Sequence, residues 1–386
     1  MKIIHTSDWH LGHTLYNHDR TEEQQAMLNQ MVQIVKAQQP DVFLLCGDVY
    51  HTPTPSSAVQ TMLTDALLAI HKAQPEMVIV VTAGNHDSGS KHEIFQSAWR
   101  ELNVFAIGQL DKEQPQEHII EVKGKGYVIA VPYCSERNMP TDFFQQLTNL
   151  VGERNAEGLP IVMTAHTTVR GCDFTGHDHP TEHIVGGIDE IELEQLGDGY
   201  DYLALGHIHH AQFVHSGKHN VRYCGTPLPV SFDECYAHSV SMVEIDHHGE
   251  RPTLTEIAID NPHPLVTLPA NGFTTWEAAK ELLTQFPNDI AAYIRLNVEV
   301  NDFLPQEAQA EAALLTADKQ CRFCCINAKR KAVSSAEAKT LSVQEFQAEA
   351  PINIAMRYAE DTGFDFDSEM QAMFMEVMKE VEGGEA

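Results

Sequence analysis

His5-Thr6-Ser7-Asp8-Trp9-His10-Leu11-Gly12 begins inside the apolar run Lys2–Thr6 and leaves it with an Asp-x-His pair. The same arrangement recurs down the chain. Val42–Cys46 runs into Gly47-Asp48, Val78–Thr82 into Gly84-Asn85-His86-Asp87, Ile161–Thr164 into His166, and Tyr202–Leu205 into Gly206-His207-Ile208-His209. Tyr127–Val131, Val221–Cys224 and Ser239–Ile245 are further strand candidates. Most of these runs are apolar throughout rather than alternating, which predicts strands covered on both faces. Helical patterns separate them. Thr21 with Gln24 reads as a capping box ahead of Met27, Leu28, Met31, Val32, Ile34 and Val35. Ser57 with Gln60 reads as the start of a second helix carrying Met62, Leu63, Leu67 and Ile70. Alternating strands and helices of this kind make a layered α/β domain.

The strand-end motifs carry the chemistry. Ends of strands in α/β domains hold loops rigidly while their side chains face a cleft. Carboxylate, imidazole and amide oxygen are the groups that bind divalent transition metals. In Asp-x-His and His-x-His, alternate side chains of an extended segment share one side, so both members can face one site. A carboxylate can bridge two cations about 3.5–4 Å apart, and such a pair stabilises the attacking and leaving oxygens of an in-line displacement at phosphorus. Any one motif alone could be an ordinary turn, since Asn and Gly tolerate left-handed backbone. Five in this order, each after a strand, predict a two-metal site.

With 386 residues the chain should form two or three domains. No apolar run reaches the roughly 18 residues of a membrane span, and Met1-Lys2-Ile3-Ile4-His5 lacks the features of a signal peptide. Eight scattered cysteines suit reduced, buried thiols and a cytoplasmic location. The 55 acidic and 25 basic residues give a formal charge of −30, which repels a phosphodiester backbone. Either the substrate is small, or metals and a partner supply positive charge.

The Pro-rich stretch Asn261-Pro262-His263-Pro264 marks a boundary. A domain over 1–260 is then followed by a small α/β domain over 261–340, with helices Trp276–Phe286 and Ala308–Leu315 and strands Ala292–Val300 and Cys321–Ile326. A helical segment over 341–386 follows, with a break around Glu360–Ser368. There Met370, Met373, Phe374, Val377, Met378 and Val381 follow helical spacing, and acids outnumber bases eleven to two. A Met-rich apolar face with an acidic back suits a partner's groove or coiled coil as well as this chain's own surface.

These motifs resemble the calcineurin-like metallophosphoesterases, and within them the bacterial SbcD-type DNA-repair nuclease subunits. The run Val221-Arg222-Tyr223-Cys224-Gly225-Thr226-Pro227-Leu228-Pro229-Val230-Ser231-Phe232-Asp233-Glu234 marks that branch most clearly. The resemblance is strong over about residues 1–245 and slight at the C-terminus. It implies a four-layer α/β/β/α sandwich with a small α/β capping domain and a short helical C-terminal segment. It implies that Asp8, His10 and His209 hold one divalent metal, that Asn85, His166 and His207 hold the other, and that Asp48 bridges them. His86 would stabilise the transition state or protonate the leaving oxygen, with Asp87 orienting its imidazole. Water acidified by the cations, Mn²⁺ in the leading reading, would be the nucleophile. The family further implies double-strand exonuclease and hairpin endonuclease activity, a homodimer, and an SbcC-type coiled-coil ATPase bound through the C-terminal region. The chain has no Gly-x-x-x-x-Gly-Lys-Ser/Thr loop, so a partner would have to bring the nucleotide. Ala165 stands before His166 where relatives can carry Gly.

Two rival readings remain open at this level. One is a small-molecule phosphoesterase or phosphoprotein phosphatase, although Val49-Tyr50-His51-Thr52 lacks the Arg that protein phosphatases use after this Asp. The other is a non-catalytic scaffold, against which the complete ligand set argues. Among weaker signals, Lys319, Arg322, Lys329, Arg330 and Lys331 could contact phosphates or could simply blunt a sheet edge. His51 could face the cleft, His177, His179 and His183 read as loop residues, and Cys321, Cys324 and Cys325 read as buried thiols.

Overall fold

Every residue of Val42–Cys46 and Val78–Thr82 is buried, as strands covered on both faces require. The computed structural model describes residues 1–135, 138–140, 142–176, 190–214, 219–331, 350–362 and 366–383. In chain order the first strands are β1 (Lys2–Thr6), β2 (Val42–Cys46), β3 (Val78–Thr82), β4 (Val104–Ile107), β5 (Ile119–Val122), β6 (Gly126–Ala130), β7 (Ile161–His166), β8 (Thr168–Val169) and β9 (Glu190–Ile191). There follow β10 (Tyr202–Gly206), β11 (Gln212–Phe213), β12 (Val221–Tyr223), β13 (Ser239–Glu244), β14 (Thr253–Ala258), β15 (Leu265–Leu268), β16 (Tyr293–Val300) and β17 (Arg322–Arg330). One sheet has the order β14-β13-β1-β2-β3-β4 and the other β11-β12-β10-β7-β6-β5. The central strands of each run parallel.

Strand alternation sorts the side chains into layers. Ile4, Phe43, Leu45, Ile79 and Val81 pack on helices α1 (Thr21–Gln38) and α2 (Ser57–Ala73). Their neighbours Ile3, Val42, Leu44, Val78 and Val80 meet Val128, Ala130, Val162 and Ala204 of the second sheet. The outer face of that sheet, with Ile129, Met163, Leu203 and Leu205, is covered by Phe143, Phe144, Leu147 and Val151 of α3 (Phe143–Gly152). This is a four-layer α/β/β/α sandwich. Each fully buried aliphatic or aromatic side chain contributes about 1.5–3 kcal/mol, so the double coverage of these strands dominates the core.

Residues 265–330 add a parallel three-stranded sheet, β15-β16-β17, whose core includes Trp276, Ala279 and Leu283 of α4 (Trp276–Gln285) and Ala308 and Ala312 of α5 (Ala308–Thr316). Contacts divide the chain into two compact units, Met1–Arg330 and Lys331–Ala386. The second contains helices Pro351–Thr362 and Ser368–Gly383, with Met370, Met373, Met375 and Val377 exposed. The expected boundary at Leu341 and the expected loop residues His177, His179 and His183 lie outside the described residues.

Both helix starts differ from the capping boxes read in the sequence. Helix α1 is preceded by Arg20 with no side-chain cap, and Gln24 reaches instead to the Gly12 amide and the His10 carbonyl. Ser56, not Ser57, caps α2 by accepting from the Val59 amide. Strands β4, β5, β14 and β15 are not among those expected from the apolar runs. Strands β14 and β15 are exposed or half-buried along their length and lack a continuous apolar run.

Candidate metal centre

The metal-suited motifs converge where the carboxyl ends of β1, β2 and β3 face those of β7 and β10. Backbone hydrogen bonds fasten the β1 and β2 loops together, from Asp8 N to Gly47 O (3.0 Å) and from His10 N to Asp48 O (3.0 Å). The loops are tightly folded. Asp8, His10, Asp48 and His207 all have positive φ (53°, 43°, 46° and 97°). Left-handed backbone costs a non-glycine residue about 1–2 kcal/mol, and such strain collects at functional sites. The glycines leave room for the side chains. A Cβ on Gly47, itself at φ +85°, would lie 2.0 Å from His166 Nδ1, and one on Gly84 would lie 2.1 Å from Asp48 Oδ1.

Asp48 sits at the centre. Its Oδ1 accepts from the His86 amide at 2.9 Å. Its Oδ2 lies 3.3 Å from His166 Nε2 and 3.9 Å from His10 Nε2. On one side of it, Asp8, His10 and His209 bring donor atoms within 4.8 Å of one another, and His10 Nε2 and His209 Nε2 are 3.3 Å apart. On the other side, Asn85 Oδ1 lies 3.0 Å from His166 Nε2 and 3.1 Å from His207 Nδ1. Asp48, His166 and His207 also bring donor atoms within 4.8 Å of one another. All seven residues expected to bind metal are therefore together. Asp8, His10, Asp48 and His166 are buried, while Asn85, His207 and His209 are half-buried at the opening.

The surrounding residues select which ring nitrogens face inward. His166 Nδ1 donates to the Cys46 carbonyl (2.9 Å), and His209 Nδ1 donates to Glu234 (3.1 Å). Both therefore turn Nε2 toward the centre. Burial drives His10 well below its ordinary pKa, which keeps its imidazole neutral, the ligating form. Burial pushes the Asp8 carboxyl up to about 7, with His166 pulling the other way. Burial also opposes charge on both Asp48 and His166, but their mutual attraction wins. Asp48 is held well below the usual carboxylate range, and His166 is raised to about 9. Ligation needs the neutral imidazole, so a cation at His166 would compete with a proton. Facing imidazole nitrogens, an amide oxygen and a central carboxylate fit divalent metal.

His86 is not among the seven. Its ring contacts His10 at 5.0 Å and stacks on His51 at 5.7 Å, and its Nδ1 donates to the His51 carbonyl at 3.0 Å. His10, His51 and His86 form a third group able to share an ion, so His51 does face the centre. The expected orientation of His86 by Asp87 does not hold. Asp87 accepts instead from the backbone amides of Val49, Tyr50 and Gly84, with His92 Nε2 3.4 Å away. It clamps the Asp48 and Asn85 loops to each other, and the His51 carbonyl orients His86. Glu234 carries no signal of a site role in the sequence pattern. Its fully buried carboxylate also accepts from Thr226 Oγ1 (3.1 Å) and the Val230 amide (3.2 Å).

The basic cluster is divided in the structure. Lys319 binds the carbonyls of Thr284 and Phe286 at the end of α4, and Arg322 donates to the Asp19 carbonyl and Tyr293 Oη. Lys329 and Arg330 are exposed on the edge strand β17, over the rings of Phe273 and Phe303.

A buried carboxylate between two sets of metal-suited donors, at the carboxyl ends of the parallel central strands of two facing sheets, marks a metal-dependent hydrolase. The family model described as calcineurin-like phosphoesterase matches residues 1–211. The chain is similar to the SbcD subunit of nuclease SbcCD from Rhodobacter capsulatus, with 30% identity over 300 residues covering 70% of this chain and 72% of the relative. It is similar to the Escherichia coli K12 protein of that name at 29%, covering 69% and 70%, and to the Bacillus subtilis protein at 30%, covering 80% and 81%. The chain belongs to the calcineurin-like phosphoesterases and, within them, to the family of SbcD subunits of nuclease SbcCD. Among the described residues no helix is long and apolar enough to cross a membrane.

Proposed function

We propose that this chain is the nuclease subunit of a complex with an SbcC-type coiled-coil ATPase, and that it hydrolyses phosphodiester bonds at the ends and hairpins of DNA. The observation that carries the reading is Asp48 Oδ2, set between His10 and His166 with four further donors, Asp8, Asn85, His207 and His209, around it. Asp8, His10 and His209 would hold one divalent metal, Mn²⁺ in this reading, Asn85, His166 and His207 would hold the other, and Asp48 would serve both. When bound, the two cations acidify water and neutralise charge developing on the phosphate.

The chain's own residues do the remainder. Glu234 and the Cys46 carbonyl fix the ring orientations of His209 and His166. His86 spends Nδ1 on the His51 carbonyl, so in the imidazolium the proton free to move is on Nε2, available to the leaving oxygen. The partner supplies the positive charge that a chain at −30 lacks. The exposed methionines and valine of helix Ser368–Gly383 support docking of that partner on the C-terminal unit.

The test compares Mn²⁺-dependent hydrolysis of linear duplex DNA, hairpin DNA and p-nitrophenyl phosphate, with and without the ATPase. Duplex and hairpin cleavage stimulated by the ATPase supports the proposal. Hydrolysis of the monoester alone makes the protein a phosphomonoesterase.

A further inference from the structure

The loop that carries Glu234 is held from the small domain. Arg295, on β16, donates Nη1 to Asp233 Oδ1 (2.5 Å) and Nη2 to the Phe232 carbonyl (3.3 Å), and its guanidinium lies 5.2 Å from the centroid of the Phe232 ring. Asp233 is the residue next to Glu234, whose Oε1 accepts from His209 Nδ1. The other end of the loop is fixed by buried Arg20, which donates to the Pro229 carbonyl at 2.7 Å and lies over the ring of Tyr293, also on β16. Leu15, Phe232 and Tyr293 form a buried apolar cluster at this junction. A side chain of the small domain is therefore one peptide unit away from the carboxylate that orients a candidate metal ligand.

We propose that Arg295 is a positioning residue for the metal centre: through Asp233 and Glu234 it sets His209, and so couples the small domain to the Asp8–His10–His209 half of the site. The contacts that hold the other half come from the sandwich itself. Asn85 is packed against His166 and His207, and His166 is fixed by the Cys46 carbonyl, all within the sandwich. The coupling is selective. Loss of a partner that orients a metal-binding histidine typically lowers metal affinity about 10- to 100-fold. Arg295 acts one residue further away, so its loss should have the lower part of that effect, about tenfold.

The inference rests on His209 being a ligand, and the experiment separates the two claims. Mn²⁺ titration of the full chain, read by calorimetry and by the free-ion resonance signal, is made for wild type, Arg295→Ala, Asp233→Asn and the double variant. The same substitutions are made in His209→Ala and Asn85→Ala backgrounds. Expected are two equivalents in wild type and about tenfold weakening of one in each single variant. The double variant should be no worse than Arg295→Ala, because the ion pair that Asp233→Asn weakens is already absent there. Arg295→Lys should recover part of the loss. In Asn85→Ala the Arg295 effect should persist, and in His209→Ala it should vanish. Equal weakening of both equivalents, or unchanged affinity with only a lower unfolding temperature in chelator, overturns the positioning role. If Arg295→Ala does not fold, Asp233→Asn alone carries the same comparison, and unchanged affinity there overturns it. Two tight equivalents in the His209→Ala background alone would instead remove His209 from the ligand set.

Discussion

The strand-end loops of the sandwich and the small three-stranded domain are both built on parallel strands with helices, yet their backbones differ sharply. Four residues of the centre have positive φ without being glycine, whereas among described residues 261–330 the one positive φ is that of a glycine, Gly272. The centre also buries two carboxylates and two imidazoles against one another, while the core of the small domain is apolar. Strain and buried charge both oppose folding, and they persist where the surrounding structure over-determines them. The double coverage of β1, β2 and β3 supplies that rigidity. The small domain stores no such strain, and apart from Arg295 we expect its substitutions to affect stability more than chemistry.

The largest effect that sharpens the contrast is at His86. On the proposed role of His86 as proton donor, replacing it by Ala should lower turnover by about two to four orders of magnitude with both metals retained. Metal analysis beside single-turnover rates tests this, and loss of metal would move His86 into the ligand set. Next is Glu234→Gln, which keeps the shape but removes the charge that holds His209. Its Mn²⁺ affinity should fall about 10- to 100-fold, measured by titration. Unchanged affinity would mean that the Pro229–Glu234 loop is held for stability alone. The smallest effect lies in the small domain. Thr275 caps α4 by accepting from the Ala278 amide, and Thr275→Ala should cost about 1 kcal/mol in urea unfolding. Metal affinity should not change, and a change would break the contrast between the regions.

The sequence made the interior legible because its signals were local. Val42–Cys46 and Val78–Thr82 are unbroken apolar runs and became strands at the residues read from them. The ligand motifs follow such runs at once, so strand ends were enough to gather them. What was missed depends on distance along the chain. Glu234 meets His209 from 25 residues away, and Asp87 meets the Val49 amide from 38 residues away, so neither partner is written in the local pattern. Gln24 looked like a capping residue by spacing, but tertiary contacts with Gly12 and His10 took its side chain. Strand β17 outruns its apolar core because ladder pairing with Asn297–Val300 carries Asn327–Arg330 along an exposed edge.

The central claim is that Asp48 is shared by two metals. The most direct measurement is Mn²⁺ bound per chain, by elemental analysis after equilibrium dialysis, for wild type and Asp48→Ala, with circular dichroism to confirm that the variant is folded. The account predicts two equivalents in wild type, loss of tight binding at both positions in the folded variant, and no detectable DNA cleavage by it. Two full equivalents retained in Asp48→Ala would contradict it.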